Sequence, residues 1–113
     1  APFFKTRASR VGLVVGVSLP LTLFTASIAI LEAERGVAGS NINSFGDAIW
    51  WSVASVTTVG YGDRYPVTPD GRLVASLLMV VGIGLFSALT ALLAAWVLEG
   101  RKLEEDKESA ENE

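Results

Sequence analysis

The sequence predicts an all-α membrane protein in which two transmembrane helices flank a segment that enters the membrane and returns. Half of the 113 residues are hydrophobic, and they concentrate in two long blocks without charge. Charged side chains lie at the two ends of the chain and in its middle. The stretch between the blocks is too apolar at its centre for an ordinary loop. This layout is typical of a membrane protein rather than of a soluble domain.

The first block, residues 11–31, holds 21 residues without a charge. At about 1.5 Å per residue it crosses a hydrocarbon layer of roughly 30 Å, so we predict an outer transmembrane helix. A secretory signal peptide is the alternative, because Lys5, Arg7 and Arg10 precede the block. The block is longer than a typical signal core, and no small-x-small cleavage site is followed by a soluble domain. Pro20 should bend or loosen this helix.

The second block, residues 73–98, holds 26 uncharged residues and predicts an inner transmembrane helix over 72–98. Lys and Arg near a membrane favour its cytoplasmic side. The termini carry more of them than the segment between the spans, which has only Arg35, Arg64 and Arg72. We therefore expect a multi-pass protein of the cell membrane with both termini cytoplasmic, in contact with membrane lipid.

The remaining composition excludes several classes of protein. Cysteine and histidine are absent, which removes disulfides and the usual zinc ligands. No basic patch interleaved with aromatic residues supports nucleic-acid binding. Neither span contains an ionisable group, so an enzyme is the least favoured class. The acidic tail over residues 99–113 is expected in the cytoplasm, either as a short exposed helix or as a disordered segment.

The middle of the chain predicts a short helix over residues 44–57. Ser44 can cap it, and Asp47 lies three residues later, at the spacing of a capping box. A helix of this length is about 20 Å long, too short to cross the bilayer. The chain then becomes Gly-rich and returns to a polar turn at residues 68–71. Irregular backbone at that depth must be shielded by protein or line a watery path, which indicates a re-entrant pore loop.

The returning segment, residues 57–63, reads TTVGYGD and resembles the potassium-channel signature. Channels of that family use TVGYG as their selectivity filter, so the resemblance implies passive potassium conduction, with K⁺ as the permeant ion and no cofactor. Carbonyl oxygens must face one axis, and Gly60 and Gly62 permit the backbone angles this requires. One chain supplies one wall, so a homotetramer is implied. The predicted ion site is the filter over 58–62, with carbonyls of Thr58, Val59, Gly60 and Tyr61, the Thr58 hydroxyl, and Gly62.

The resemblance covers most of the chain and is closest to the two-helix bacterial KcsA-type channels. It is carried by residues 31–36, 50–53, 65–68 and 71–72. It implies an aromatic cuff in which two tryptophans pack on the filter tyrosine of a neighbouring subunit; lipid-facing interfacial anchors are the alternative. It also implies an external site for quaternary ammonium blockers at Tyr65. The residues predicted to support the filter are Trp50, Trp51, Thr57 and Asp63.

One position departs from the KcsA-type pattern. Those channels place a Glu behind the filter, bonded to the Asp that follows the signature, whereas this chain has Ala54. Asp63 therefore needs another partner, and we expect the indole of Trp51. In the inner helix, Gly82 aligns with the hinge glycine of the family, although close helix packing explains a membrane glycine equally well. For Gly84, packing is the favoured interpretation.

The sequence leaves the context of this pore open. Residues 1–113 form a single pore domain, which is expected to be either a complete two-helix channel or the pore module of a six-helix voltage-gated subunit. No span carries Arg at every third position, so this chain has no voltage sensor of its own. A non-conducting membrane anchor or assembly subunit is a third hypothesis. An altered filter glycine would favour it, and none is found.

Overall fold

A computed structural model describes the backbone of residues 2–112 and the side chains of residue 7 and residues 9–112. The described residues form three helices: α1 over Pro2–Glu34, α2 over Phe45–Val56 and α3 over Pro69–Glu111. Two of them, α1 and α3, are long and apolar enough to cross a membrane, with mean hydropathies of 2.1 and 2.4 in their most apolar windows. The predicted all-α class with two candidate spans is thus confirmed.

Helix α1 contains the segment expected to span the membrane and extends beyond it at both ends. It continues through Pro20 without interruption. After Glu34 the chain turns sharply, and Gly36 and Gly39 adopt positive φ angles of 74° and 84° there. The side chain of Lys5, one of the basic residues before the first apolar block, lies outside the described residues. The loop over 35–44 leads from α1 to the short helix.

Helix α2 begins and ends almost where the capping pattern places it. Ser44 is the N-cap, and its hydroxyl accepts a hydrogen bond from the Asp47 amide at 3.1 Å. The Asp47 carboxylate reaches back to the amide of Asn43, at 3.4 Å, rather than to that of Ser44. Thr57 caps the other end. Local hydrogen bonding at both ends therefore sets the length of α2.

The core lies where α2 packs between the C-terminal half of α1 and the N-terminal half of α3. Its buried residues include Ile30, Ala48, Trp51 and Leu78. One polar contact crosses this core: the Ser27 and Ser52 hydroxyls lie 3.0 Å apart. Because Ser27 donates its proton to the Leu23 carbonyl, Ser52 must be the donor between the two serines. This bond fixes α2 against α1 without leaving a buried hydroxyl unpaired.

Helix α3 starts earlier than expected. Residues 68–71 were predicted to form a polar turn, but Thr68 is the N-cap of α3 and Pro69 occupies its first turn. The Thr68 hydroxyl accepts from the Gly71 amide at 2.9 Å, so the Thr-Pro pattern is a helix start. At the other end α3 continues to Glu111, so the acidic tail is helical up to that residue rather than disordered.

Gly82 lies close to the end of α2. A Cβ atom there would lie 2.5 Å from Cγ2 of Val56, and Gly82 is buried. A Cβ at Gly84 would meet no atom within 4 Å. Close packing within one chain therefore accounts for Gly82. Gly84 makes no close contact of this kind within the chain. Whether Gly82 also acts as a hinge stays a prediction.

Candidate ion-conduction site

The predicted filter is tied at its start to the last turn of α2. The Thr58 amide donates to the Ser55 carbonyl and the Gly60 amide to the Ala54 carbonyl, both at 3.1 Å. The Thr57 hydroxyl donates to the Val53 carbonyl at 2.8 Å. These bonds use the carbonyls that a helix leaves free at its C-terminus. The site thus begins at the negative end of the α2 dipole, which favours a nearby cation.

The φ angles of the predicted filter alternate in sign along the chain. Thr58, Gly60 and Gly62 have φ angles of 63°, 56° and 81°, whereas Val59 and Tyr61 do not have positive φ. In a β-strand, successive carbonyls point to opposite sides. An alternation of the sign of φ departs from this strand pattern and favours carbonyls on one side. Thr58 is the one described residue other than glycine with positive φ, and this costs roughly 1–2 kcal/mol.

The filter carbonyls have no partner within the described part of the chain. Among the hydrogen bonds of the described residues, none is accepted by a carbonyl of residues 58–62. All five residues are exposed, with Val59 at 54% and Tyr61 at 67%. An unpaired carbonyl at membrane depth costs several kcal/mol, so it needs water or a cation. Rings of such carbonyls contributed by several chains can replace the water shell of a monovalent cation.

Trp50 lies directly on the filter tyrosine. Its ring stacks on that of Tyr61 in the same chain, with centroids 5.6 Å apart and an angle of 8° between the planes. Trp51 instead lies in the core and is only 4% exposed. The expected contact to a neighbouring subunit is not tested by a single chain. Within this chain Trp50 contacts Tyr61 and Trp51 does not lie on the surface. Trp51 is therefore too buried to face lipid.

Asp63 accepts a hydrogen bond from the Nε1 atom of Trp50, at 2.9 Å. The expectation that Trp51 would be this donor is therefore wrong. Consecutive residues of an α-helix point about 100° apart, and here Trp50 contacts the predicted filter while Trp51 lies in the core. The sequence pattern could not decide between them, because both are large aromatic residues with an indole donor.

Two residues just beyond the filter are held by the loop before α2. The Tyr65 amide donates to Oδ1 of Asn41 at 2.9 Å, and Tyr65 is 51% exposed, as an external blocker site requires. The Arg64 guanidinium donates to the Asn41 carbonyl at 2.9 Å and lies 3.6 Å from the Asp47 carboxylate. From the sequence alone, Arg64 reads only as a charge in a loop, and nothing marks Asn41 as its partner or as the acceptor for the Tyr65 amide.

Glu34 is the main structural residue that sequence analysis missed. It is fully buried at the end of α1. Its carboxylate accepts from the amides of Val67 and Thr68, the latter at 3.3 Å, immediately before α3. A Cβ at Gly71 would lie 3.1 Å from this carboxyl group. The available signal was a glutamate three residues after an apolar block and 33 to 34 residues before the two amides that bind it, which is too common a pattern to interpret.

Comparison with known proteins agrees with this geometry. Residues 17–99 match a protein family described as ion channels. The chain is 48% identical to a calcium-gated potassium channel of Thermoplasma volcanium over 60% of this chain and 20% of that protein. It is 44% identical to a voltage-gated potassium channel of Aeropyrum pernix over 65% and 24% of the two chains. For a cyclic nucleotide-gated potassium channel of Rhizobium etli the identity is 38%, over 70% and 22%.

The chain belongs to this family of ion channels, since the match covers well over half of its length. The predicted resemblance to potassium-channel pore domains is confirmed, and so is the expectation of a channel rather than an enzyme, because this family and these relatives are ion channels. The chain spans about a quarter or less of the length of these relatives.

Proposed function

We propose that this chain forms a potassium-selective pore through which K⁺ moves passively down its gradient. The observation that carries the proposal is the segment over 58–62, where alternating φ angles and unpartnered carbonyls coincide. In the proposed site, the carbonyls of Thr58, Val59, Gly60 and Tyr61 replace the water shell of the ion. The Thr58 hydroxyl adds a ligand at the inner end, and Gly62 supplies the outer turn.

Four copies are proposed to surround the ion. One chain provides a single wall, and the apolar side chains of Val59 and Tyr61 are exposed in it. A ring of four walls would place the carbonyls inside and these side chains in the packing between subunits. Such closed cyclic arrangements are common for homo-oligomers. The relatives named above are described as potassium channels, which supports the same ion for this chain.

The proposed orientation places both termini in the cytoplasm and the filter near the outer surface. Arg7 and Arg10 precede the first span, and Arg101 and Lys102 follow the second. Basic residues at these positions favour the cytoplasmic side. Tyr65, exposed just beyond the filter, would then face the outer solution and could bind a quaternary ammonium ion through its ring.

The test is the reversal potential of the purified protein in liposomes under opposing K⁺ and Na⁺ gradients. We expect reversal near the K⁺ equilibrium potential and inhibition by external tetraethylammonium. Gly60→Ala forces a side chain onto a φ of +56° and should abolish selective current. Gly84→Ala is the matched control, because its Cβ meets open space within the chain. Reversal near zero for the unmodified protein would refute potassium selectivity.

A further inference from the structure

The three residues that follow the filter are each held from behind by a polar contact. The Asp63 carboxylate accepts from the Trp50 indole, the Arg64 guanidinium donates to the Asn41 carbonyl, and the Tyr65 amide donates to the Asn41 side chain. All of these contacts join positions 13 to 24 residues apart. The outer end of the filter is therefore fixed by side chains, whereas its inner end is fixed by backbone bonds to α2.

Arg64 connects two different elements in this arrangement. Its Nη1 atom is 2.9 Å from the Asn41 carbonyl in the loop over 35–44, and its Nε atom is 3.6 Å from Oδ1 of Asp47 in the first turn of α2. The planar guanidinium faces the two acceptors with two different nitrogen atoms, whereas a lysine would have to reach both from a single nitrogen. The Arg64 side chain is 40% exposed and that of Asp47 is 28% exposed. We call Arg64, Asn41 and Asp47 the outer clamp.

Charge gives a second reason to assign a role to this contact. Arg64 is the second residue after the proposed filter, so a free guanidinium there would repel a cation that enters or leaves. In the structure its charge faces the Asp47 carboxylate instead. Ala54 brings no carboxyl group behind the filter, and Asp63 has Trp50 as its one hydrogen-bond partner among the described residues. Few other groups can therefore fix this segment.

We propose that Arg64 is a positioning residue of the pore: by bridging Asn41 and Asp47, it holds residues 63–65 in place and slows departure of the filter from its conducting conformation. This inference rests on the proposed function for its effect on current, and on the geometry alone for its effect on local structure. The clamp contributes no ligand to the ion and acts through the chain segment that ends the filter.

The test compares Arg64→Gln, Arg64→Lys, Asp47→Asn and the double variant R64Q/D47N in liposomes. Arg35→Gln is the matched control. Arg35 is exposed in the loop over 35–44, and its side chain makes no hydrogen bond or ion pair among the described residues. We measure the rate of current decay at constant voltage. We also measure amide hydrogen exchange of residues 60–65, which needs no conduction.

We expect Arg64→Gln to speed both decay and exchange roughly threefold to tenfold, in the range of a charge-assisted hydrogen bond at a partly exposed site. Arg64→Lys should retain only part of the protection. Asp47→Asn should have a smaller effect, because the Asn41 carbonyl still accepts from Arg64. The double variant should decay no faster than Arg64→Gln alone.

Unchanged decay and exchange in Arg64→Gln, or equal changes in Arg35→Gln, would overturn the proposal. So would additive effects in the double variant. If Arg64→Gln does not assemble, the same measurements on Arg64→Lys and Asp47→Asn provide the test. Amide exchange at residues 60–65 equal to that of the unmodified protein in both variants would overturn the proposal. If the unmodified protein conducts no K⁺, the proposed function fails, and the exchange measurement alone then supports or overturns the clamp.

Discussion

Removal of the Glu34 carboxylate should loosen the start of α3 and the segment that links it to the filter. Glu34 is fully buried and accepts two backbone amides, those of Val67 and Thr68. A carboxylate beside the first turn of a helix also interacts favourably with the positive end of the helix dipole. Because the contact joins the end of α1 to the start of α3, both transmembrane helices depend on it.

The expected magnitude follows from the two hydrogen bonds. Glu34→Gln keeps one carbonyl acceptor but turns an amide NH₂ toward the second backbone donor, so it should cost about 1–3 kcal/mol. Glu34→Ala leaves both donors without a partner and opens a cavity, so it should cost about 3–5 kcal/mol. On the scale of tenfold per 1.4 kcal/mol, Glu34→Gln should raise amide exchange at residues 67 and 68 by about 5- to 150-fold.

The assay is amide hydrogen exchange in liposomes, together with the thermal stability of the assembled protein in detergent. Glu32→Gln and Glu32→Ala are matched controls, because Glu32 is exposed two residues earlier in the same helix. These controls should stay within about 0.5 kcal/mol of the unmodified protein. Equal exchange at residues 67 and 68 in Glu34→Gln and Glu32→Gln would refute the claim that this carboxylate holds the start of α3.

Trp50→Phe should speed current decay, since it removes the donor to Asp63 but keeps a ring over Tyr61, whereas Trp51→Phe should lower thermal stability without this effect on decay. Gly82→Ala should destabilise the assembled protein by about 1–3 kcal/mol, because its Cβ would overlap Val56, and Gly84→Ala should have little effect within the chain. Ala54→Glu should change current decay by adding a carboxyl group behind the filter, and unchanged decay would contradict that idea. Replacement of K⁺ by a large organic cation should lower the melting temperature, because an ion bound only by the folded filter stabilises it by mass action; an unaltered melting temperature would count against ion binding.

Local patterns in the sequence predicted the elements that local physics determines. The start of α2 followed from Ser44 and Asp47, and the structure places the N-cap at Ser44. The positive φ angles at Gly60 and Gly62 follow from the freedom of glycine. The same local logic could have identified Thr68 as the N-cap of α3, since a threonine followed by proline is a common helix start. The polar composition of residues 68–71 favours a turn instead.

Contacts between distant positions could not be predicted in this way. The choice between Trp50 and Trp51 depends on the rotation of α2 about its axis, which its packing against α1 and α3 determines. Glu34 becomes important only because the chain returns to it after more than thirty residues. Arg64 reads as a loop charge until the fold brings Asp47 beside it. Each of these side chains carries a hydrogen-bonding group, and its role depends on a distant partner that no periodic pattern in the sequence reveals.

The two ends of the filter segment are fixed within one chain, but its middle is not. Backbone bonds to α2 hold residues 58 and 60, and side chains hold residues 63–65. Thr58, at the first of these ends, adopts a left-handed conformation that costs energy, and the carbonyls of residues 58–62 find no partner among the described residues. A single chain in a membrane would leave this strain and these polar groups uncompensated. In the proposed tetramer, facing carbonyls bind the ion, and this binding offsets the cost of the strained backbone and of the unpaired carbonyls. Neighbouring subunits also cover the exposed Val59 and Tyr61.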